Sequence, residues 1–311
     1  MAQGREMSSA VRVILKMIDC LIHVHRAFGM NRMIGILFAA ALVAPAAEAS
    51  EERFALQLAS GTEVQVRLLR ASASSVRLPA IVVLGGLQRG SGVVDLIPRT
   101  TEAVVVGFDY PVALPERVGW TEVLPVARRL ERGIHETIEC VGRLHSLLAR
   151  RADIDPARLS IVGVSLGAPV AVIGAAQHDY RGVVIIDGFG DLPRTLRHQF
   201  ARRWRARYGA FGDVLAWLAE AAIIRLIDLP NPEDSARRLR PNQRVYMINA
   251  EDDEFVPERS QQALREALRQ SSAQLTVETM SGRHVRAHDE QAISRLYSQA
   301  RDWMRRQGLV D

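Results

Sequence analysis

The pattern with most to say about chemistry is Gly163-Val164-Ser165-Leu166-Gly167. A serine hydroxyl is a weak nucleophile, made useful when a tight strand-to-helix turn holds it exposed beside a base and near free backbone amides. Glycines two residues either side of Ser165 let strand and helix approach where a Cβ would obstruct them. The setting agrees: an apolar run, Leu159 to Val162, precedes the pattern and a helix-period segment, Leu166 to Gln177, follows it. The start of that helix directs its positive dipole end and its unpaired amides toward Ser165, favouring developing negative charge. Cys140 lies inside a helical pattern and reads as a small buried hydrophobe. His135, His145, His178 and His198 fall on helices or surface turns and read as structural. No spacing of His and carboxylates marks a zinc or calcium site, so neither metal nor cofactor is expected.

The elements around the pattern are those of a parallel sheet. Phe54 to Leu58 and Val64 to Leu69, separated by Ser60-Gly61, alternate apolar and polar residues and predict an antiparallel hairpin. Pro79 to Leu84, Ala103 to Val106, Leu159 to Val162, Gly182 to Ile186 and Val245 to Ile248 are nearly continuous apolar runs, as expected of strands covered on both faces. Leu275 to Met280 is a weaker last strand. Helix-period segments at Val123 to Arg151, Leu166 to Gln177, Pro257 to Gln270 and Asp289 to Arg306 alternate with them, so helices lie on both sides of the sheet. Residues 191–240 break the rhythm with a helical insertion read as a cap over the carboxyl edge, its aromatics Phe200, Trp204, Tyr208, Phe211 and Trp217 read mainly as packing.

Composition narrows the class. The chain has 311 residues, 48% hydrophobic and 24% charged, with mean hydropathy +0.01, which excludes disorder, collagen-like repeats and a multi-span membrane protein. Its net charge of +5 is carried by scattered arginines, Lys16 being the only lysine, and no basic stripe interleaved with aromatics points to nucleic acid. Residues 30–50 combine Arg32, the apolar run Ile34 to Val43 and Ala47-Glu48-Ala49, the pattern of a secretory signal peptide. The run is too short for a spanning anchor, so cleavage near Ala49 and an exported, periplasmic or secreted domain over 50–311 are expected, without stable membrane insertion. Met1 and Met30 both remain as starts, and Val11 to Phe28 has the alternative of an amphipathic helix.

With the nucleophile turn in this setting, the chain resembles the α/β-hydrolase fold family over about residues 79–307. The resemblance implies a serine hydrolase with an acid and then a histidine later in the chain. Asn249-Ala250-Glu251-Asp252-Asp253-Glu254-Phe255-Val256-Pro257 looks like the family's acid turn, and counting back from Val-Pro selects Asp253. Met280-Ser281-Gly282-Arg283-His284 is similar to its Gly-x-His turn, which selects His284. Asp187 and His288 are the alternatives. Leu84-Gly85-Gly86-Leu87-Gln88 has the position of the family's oxyanion loop, with Leu84 where a histidine often stands; no Lys-Ser/Thr follows it, so a nucleotide site is disfavoured. The backbone amides of Leu166 and of Leu87 or Gly86 are the implied oxyanion donors.

The resemblance thus implies cleavage of a small-molecule carboxylic ester or related acyl bond through Ser165, His284 and Asp253. The alternatives are a peptidase, thioesterase or acyl transferase on the same fold, or a binding protein without catalysis. Arg194, Arg197 and Arg202, dense near the strand end, suggest an anionic acyl group, against the reading of a solvated basic face.

Overall fold

In the computed structural model the described residues are 50–70, 76–86, 90–97, 102–112, 123–286 and 288–311. The signal-peptide reading, the start codon and Leu87 fall outside them.

The apolar runs form the middle of one eight-stranded sheet. Its strands are β1 (Ser50–Gln57), β2 (Glu63–Arg70), β3 (Leu78–Leu84), β4 (Val104–Phe108), β5 (Ile154–Val164), β6 (Gly182–Ile186), β7 (Arg244–Ala250) and β8 (Gln274–Met280). Their spatial order is β1-β2-β4-β3-β5-β6-β7-β8. β1 and β2 form the expected antiparallel hairpin, β2 runs antiparallel to β4, and every later pairing is parallel. Every residue of β3, β4 and β6 is buried, because parallel strands are covered on both faces.

Alternation along the strands divides the core. Ala80, Val82 and Leu84 of β3 pack with Cys140, Leu144 and Leu148 of α1 (Val123–Arg150), with α2 (Gly167–Gln177) and with Leu264 of α6 (Glu258–Arg269). Ile81 and Val83 face the other way, toward Val93 and Val94 of a 3₁₀ helix (Gly90–Leu96) and toward Leu296, Trp303 and Met304 of α7 (Glu290–Arg306). Cys140 is fully buried and burial pushes its thiol pKa up, so it stays a protonated, apolar side chain.

The insertion consists of α3 (Leu192–Tyr208), α4 (Phe211–Leu226) and α5 (Pro232–Arg237). α3 and α4 make a small core of their own, with Phe200 stacked on Trp204 over Ala216 and Ala219. The packing reading of the aromatics holds for Phe200 and Trp204 but not for Phe211 and Trp217, which are exposed on α4. β5 begins at Ile154, before the apolar run that marks it in the sequence. Asp155, Pro156, Ala157 and Arg158 look like a loop because this end of the strand is largely solvated and its pairing with β3 is irregular. Among the described residues no helix is long and apolar enough to cross a membrane.

Candidate active site

Strand order reverses at β3, whose neighbours are β4 and β5, and such a switch opens a crevice at the carboxyl edge of a parallel sheet. Ser165 stands there, between β5 and α2, with φ of 54°, a left-handed backbone that is costly for a non-glycine residue. The turn is held open by its glycines. A Cβ on Gly163 would lie 2.5 Å from the Gly167 carbonyl oxygen and 2.6 Å from Ala168 Cα, and one on Gly167 would lie 2.4 Å from the Leu84 carbonyl oxygen. The Ser165 N–H donates to the Ile186 carbonyl at 2.8 Å, which ties the turn to β6. Gly163→Ala is therefore expected to lower stability by about 1–3 kcal/mol through overpacking against backbone that cannot swing aside. Equilibrium urea unfolding checks it; an unchanged midpoint would contradict the close approach.

Asp253 and His284 reach Ser165 from the next two strands. Asp253 follows β7, and its Oδ1 accepts from the N–H groups of Phe255 at 2.8 Å and Val256 at 2.9 Å, a turn that leads through Pro257 into α6. Its other oxygen lies 2.8 Å from His284 Nδ1, and His284 Nε2 lies 2.9 Å from Ser165 Oγ. A carboxylate only accepts, so Nδ1 carries the proton and donates to Asp253, which leaves the Nε2 lone pair to accept from the serine hydroxyl. His284 faces Ser165 whereas His288 is exposed just before α7. Glu251 and Asp252 are likewise exposed, but Asp253's side chain is only 1% exposed.

Asp187, the alternative acid, has a different place. It follows β6 directly, with φ of 48°, and is fully buried. Its Oδ1 accepts from the Ala250 N–H at 2.8 Å and its Oδ2 from the Val285 N–H at 2.7 Å, so one carboxyl group joins the end of β7 to the histidine loop. It stands 3.6 Å from His284 Nδ1, beyond hydrogen-bond reach but close enough for its charge to act. Asp187, Asp253 and His284 put three possible ligand atoms within 4.8 Å of one another. All three are engaged, the carboxylates with backbone amides and the imidazole with Asp253 and Ser165, so the set suits proton transfer better than a cation.

Burial pulls the His284 pKa down, but the hydrogen bond to Asp253 and the charges of Asp187, Asp253 and Glu254 outweigh it, so the net shift is upward. Burial raises the Asp187 pKa, against the His284 charge and its two backbone bonds. Because a protonated imidazole has no lone pair for the serine proton, activity is expected to be lost as pH falls through a pKa above the ordinary histidine value of about 6.5. Asp187→Asn removes one of the charges that raise it, so the acid limb of the kcat/KM profile is expected to move to lower pH; a limb that stays or moves up would contradict this electrostatics.

The oxyanion donors named from the sequence are placed in part. Leu166 precedes α2, and its N–H belongs to the first-turn amides that a helix leaves without an internal acceptor. Gly85 and Gly86 line the same cavity as Ser165 and Leu166. Two residues after β4 hold this loop: Tyr110 Oη donates to the Gly85 carbonyl at 2.6 Å, and Asp109 Oδ1 accepts from the Ser91 N–H at 2.8 Å. Since a trans peptide points its C=O and N–H in opposite directions, the Tyr110 bond also fixes where the Gly86 N–H is aimed.

The structural reading of His198 holds: it lies on α3, and its Nε2 donates to the Glu254 carbonyl 3.1 Å away. Gln199 donates to the Phe255 carbonyl and Arg202 to that of Glu254, so one face of α3 grips the loop beside Asp253. Phe255 in turn lies under the Arg202 guanidinium, 4.5 Å from it, and against the His284 ring at 5.2 Å. The signal in the sequence was the clustering of these polar residues at helical spacing, 198, 199 and 202. Arg194 is engaged with Asp191, which also caps α3. Two of the three arginines suggested for an anionic substrate therefore have protein partners. His135 reaches the Asp228 carbonyl, and His145 stacks on His178 and meets Tyr180 edge-on.

No family model and no curated protein sequence matches this chain. Solved structures do. The chain is similar to the AtxE2 isopeptidase in its apo form, with a TM-score of 0.57 and 21% identity over 83% of this chain and 40% of that one. It is similar to the acetyl xylan esterase from Paenibacillus sp. R4, with a TM-score of 0.57 and 12% identity over 96% of each chain. It is also similar to brefeldin A esterase, a bacterial homologue of human hormone sensitive lipase, with a TM-score of 0.55 and 14% identity over 99% of this chain and 87% of that one. The chain spans 40% of the isopeptidase and most or all of the two esterases. Strand order, nucleophile turn and these neighbours together define the chain as an α/β-hydrolase fold.

Proposed function

We propose that the protein is a serine hydrolase that cleaves a carboxylic ester. The observation that carries the reading is the unbroken path from Ser165 Oγ through His284, 2.9 Å away, to Asp253, 2.8 Å further on. His284 Nε2 takes the hydroxyl proton as Oγ attacks the carbonyl carbon, and the imidazolium is held by Asp253. The oxyanion meets the amide of Leu166 and a second amide of the 85–87 loop. The C–O bond to the alcohol then breaks, and His284 returns the proton to the leaving oxygen. Water, deprotonated by the same imidazole, cleaves the acyl-enzyme and frees the acid. The Ala47-Glu48-Ala49 pattern supports an exported enzyme acting on a small molecule outside the cytoplasm.

A matched set of ester, thioester and anilide with one acyl group tests the reaction class. Turnover of the ester well above the anilide is expected; an anilide turned over faster than the ester would replace this reading with a peptidase.

A further inference from the structure

A cavity of about 930 Å³ opens at Ser165 and His284. It is at the upper end of the roughly 300–1,000 Å³ usual for small-molecule sites. Its course is unexpected, because it does not stop under the inserted helices but continues beneath the sheet's carboxyl edge, between the sheet and α7. One wall is the sheet face presented by Ile81, Val83, Val105, Val162 and Ile186. The other is a stripe of α7, namely Ile293, Leu296, Tyr297, Ala300 and Met304. These positions fall on one helix face, and from Ile293 to Met304 they extend roughly 16 Å. On the lining Arg286 pairs with Glu254 and Glu102 with Arg305, while Arg301 reaches Asp302 at 3.5 Å and keeps its buried Nε without a hydrogen bond.

We infer that this channel binds the acyl chain of the substrate, and that the substrate class is esters of medium- and long-chain fatty acids. The inference rests on Ser165 being the acyl acceptor, and goes beyond it by assigning the channel. An acetyl group would occupy only the mouth and leave an apolar space that offers water few hydrogen-bond partners. A flexible alkyl chain fills apolar space of this kind and recovers the contacts an empty one forfeits. Each methylene buried along α7 is expected to raise kcat/KM about fourfold while the channel fills.

The test is a ladder of p-nitrophenyl acetate, butyrate, octanoate and decanoate, measured on wild type and on Ala300→Trp, which fills the channel midway along α7. In wild type kcat/KM is expected to rise on the order of 100-fold from butyrate to octanoate. In Ala300→Trp the octanoate-to-butyrate ratio is expected to fall at least tenfold. The wild-type ladder is decisive even where the variant fails to fold, and Val105→Phe offers a plug from the opposite wall. Turnover of acetate with values flat or falling toward octanoate overturns the channel and leaves the serine hydrolase standing. No turnover at any length, with Ser165 also unlabelled by a fluorophosphonate, overturns both.

Discussion

Ser165→Ala is expected to lower kcat by about 10⁶-fold, His284→Ala by a similar factor, and the double variant by no more than either single one. The non-additivity is the informative part. With Ser165 Oγ 2.9 Å from His284 Nε2, the proposed mechanism makes hydroxyl and base two halves of one step, so that losing either would leave only binding and the oxyanion amides. Folding should be little affected. Ser165 already carries the strain of a φ of 54°, which alanine shares, and its backbone bonds to Ile186 and Ala168 survive the change. Single-turnover kinetics with a chromogenic ester, alongside thermal unfolding, read both halves; losses that multiply in the double variant would mean that the two side chains act independently.

The second large effect concerns the two buried carboxylates. Asp253→Asn is expected to cost about 10⁴-fold in kcat, because an amide can turn its NH₂ toward Nδ1, stabilise the other imidazole tautomer and place a proton on Nε2, where the serine needs a lone pair. Asp253→Ala removes the acceptor without offering that donor. The Nδ1–H is then free to turn toward Asp187, 3.6 Å away in the native arrangement. Asp253→Ala is therefore expected to retain more activity than Asp253→Asn, an inversion of the usual order in which the conservative change is the milder one. The comparison must be made on folded protein, since alanine also abandons the amides of Phe255 and Val256, at a cost of about 1–3 kcal/mol for each buried donor left without a partner. Equal losses in the two variants would show that Asp187 gives the imidazole no support.

Much of the scaffold was legible because its causes are local. A strand covered on both faces must be largely apolar, so β3, β4, β6 and the middle of β7 show themselves as nearly continuous runs. The nucleophile turn was legible because Gly163 and Gly167 meet backbone atoms, and no larger residue fits. Asp253 and His284 were reached through the resemblance of their turns, and the fold brings both to Ser165. What remained out of sight depends on neighbours distant in sequence. Asp187 reads as the end of a strand; only the fold shows it accepting from Ala250 and Val285, 63 and 98 residues on. Arg202 reads as part of a solvated basic face, and the grip it makes with His198 and Gln199 shows only when α3 is laid against residues 254 and 255. Tyr110 carries no pattern at all, and its part lies in a single bond to Gly85.

That grip of α3 on the acid loop bears on how the insertion works. A lid free to swing would not hold the backbone next to Asp253 through three side chains, one of which, Arg202, also lays its guanidinium on Phe255. Movement of α3 would instead be felt at Asp253 and at the His284 ring that Phe255 touches.

The most direct measurement is reaction of purified residues 50–311 with a fluorophosphonate, followed by peptide mapping by mass spectrometry. The arrangement of Ser165, His284 and Asp253 requires one covalent adduct on Ser165, absent from Ser165→Ala and from His284→Ala. A cooperatively folded wild type that stays unlabelled, or carries the adduct on another residue, would contradict it.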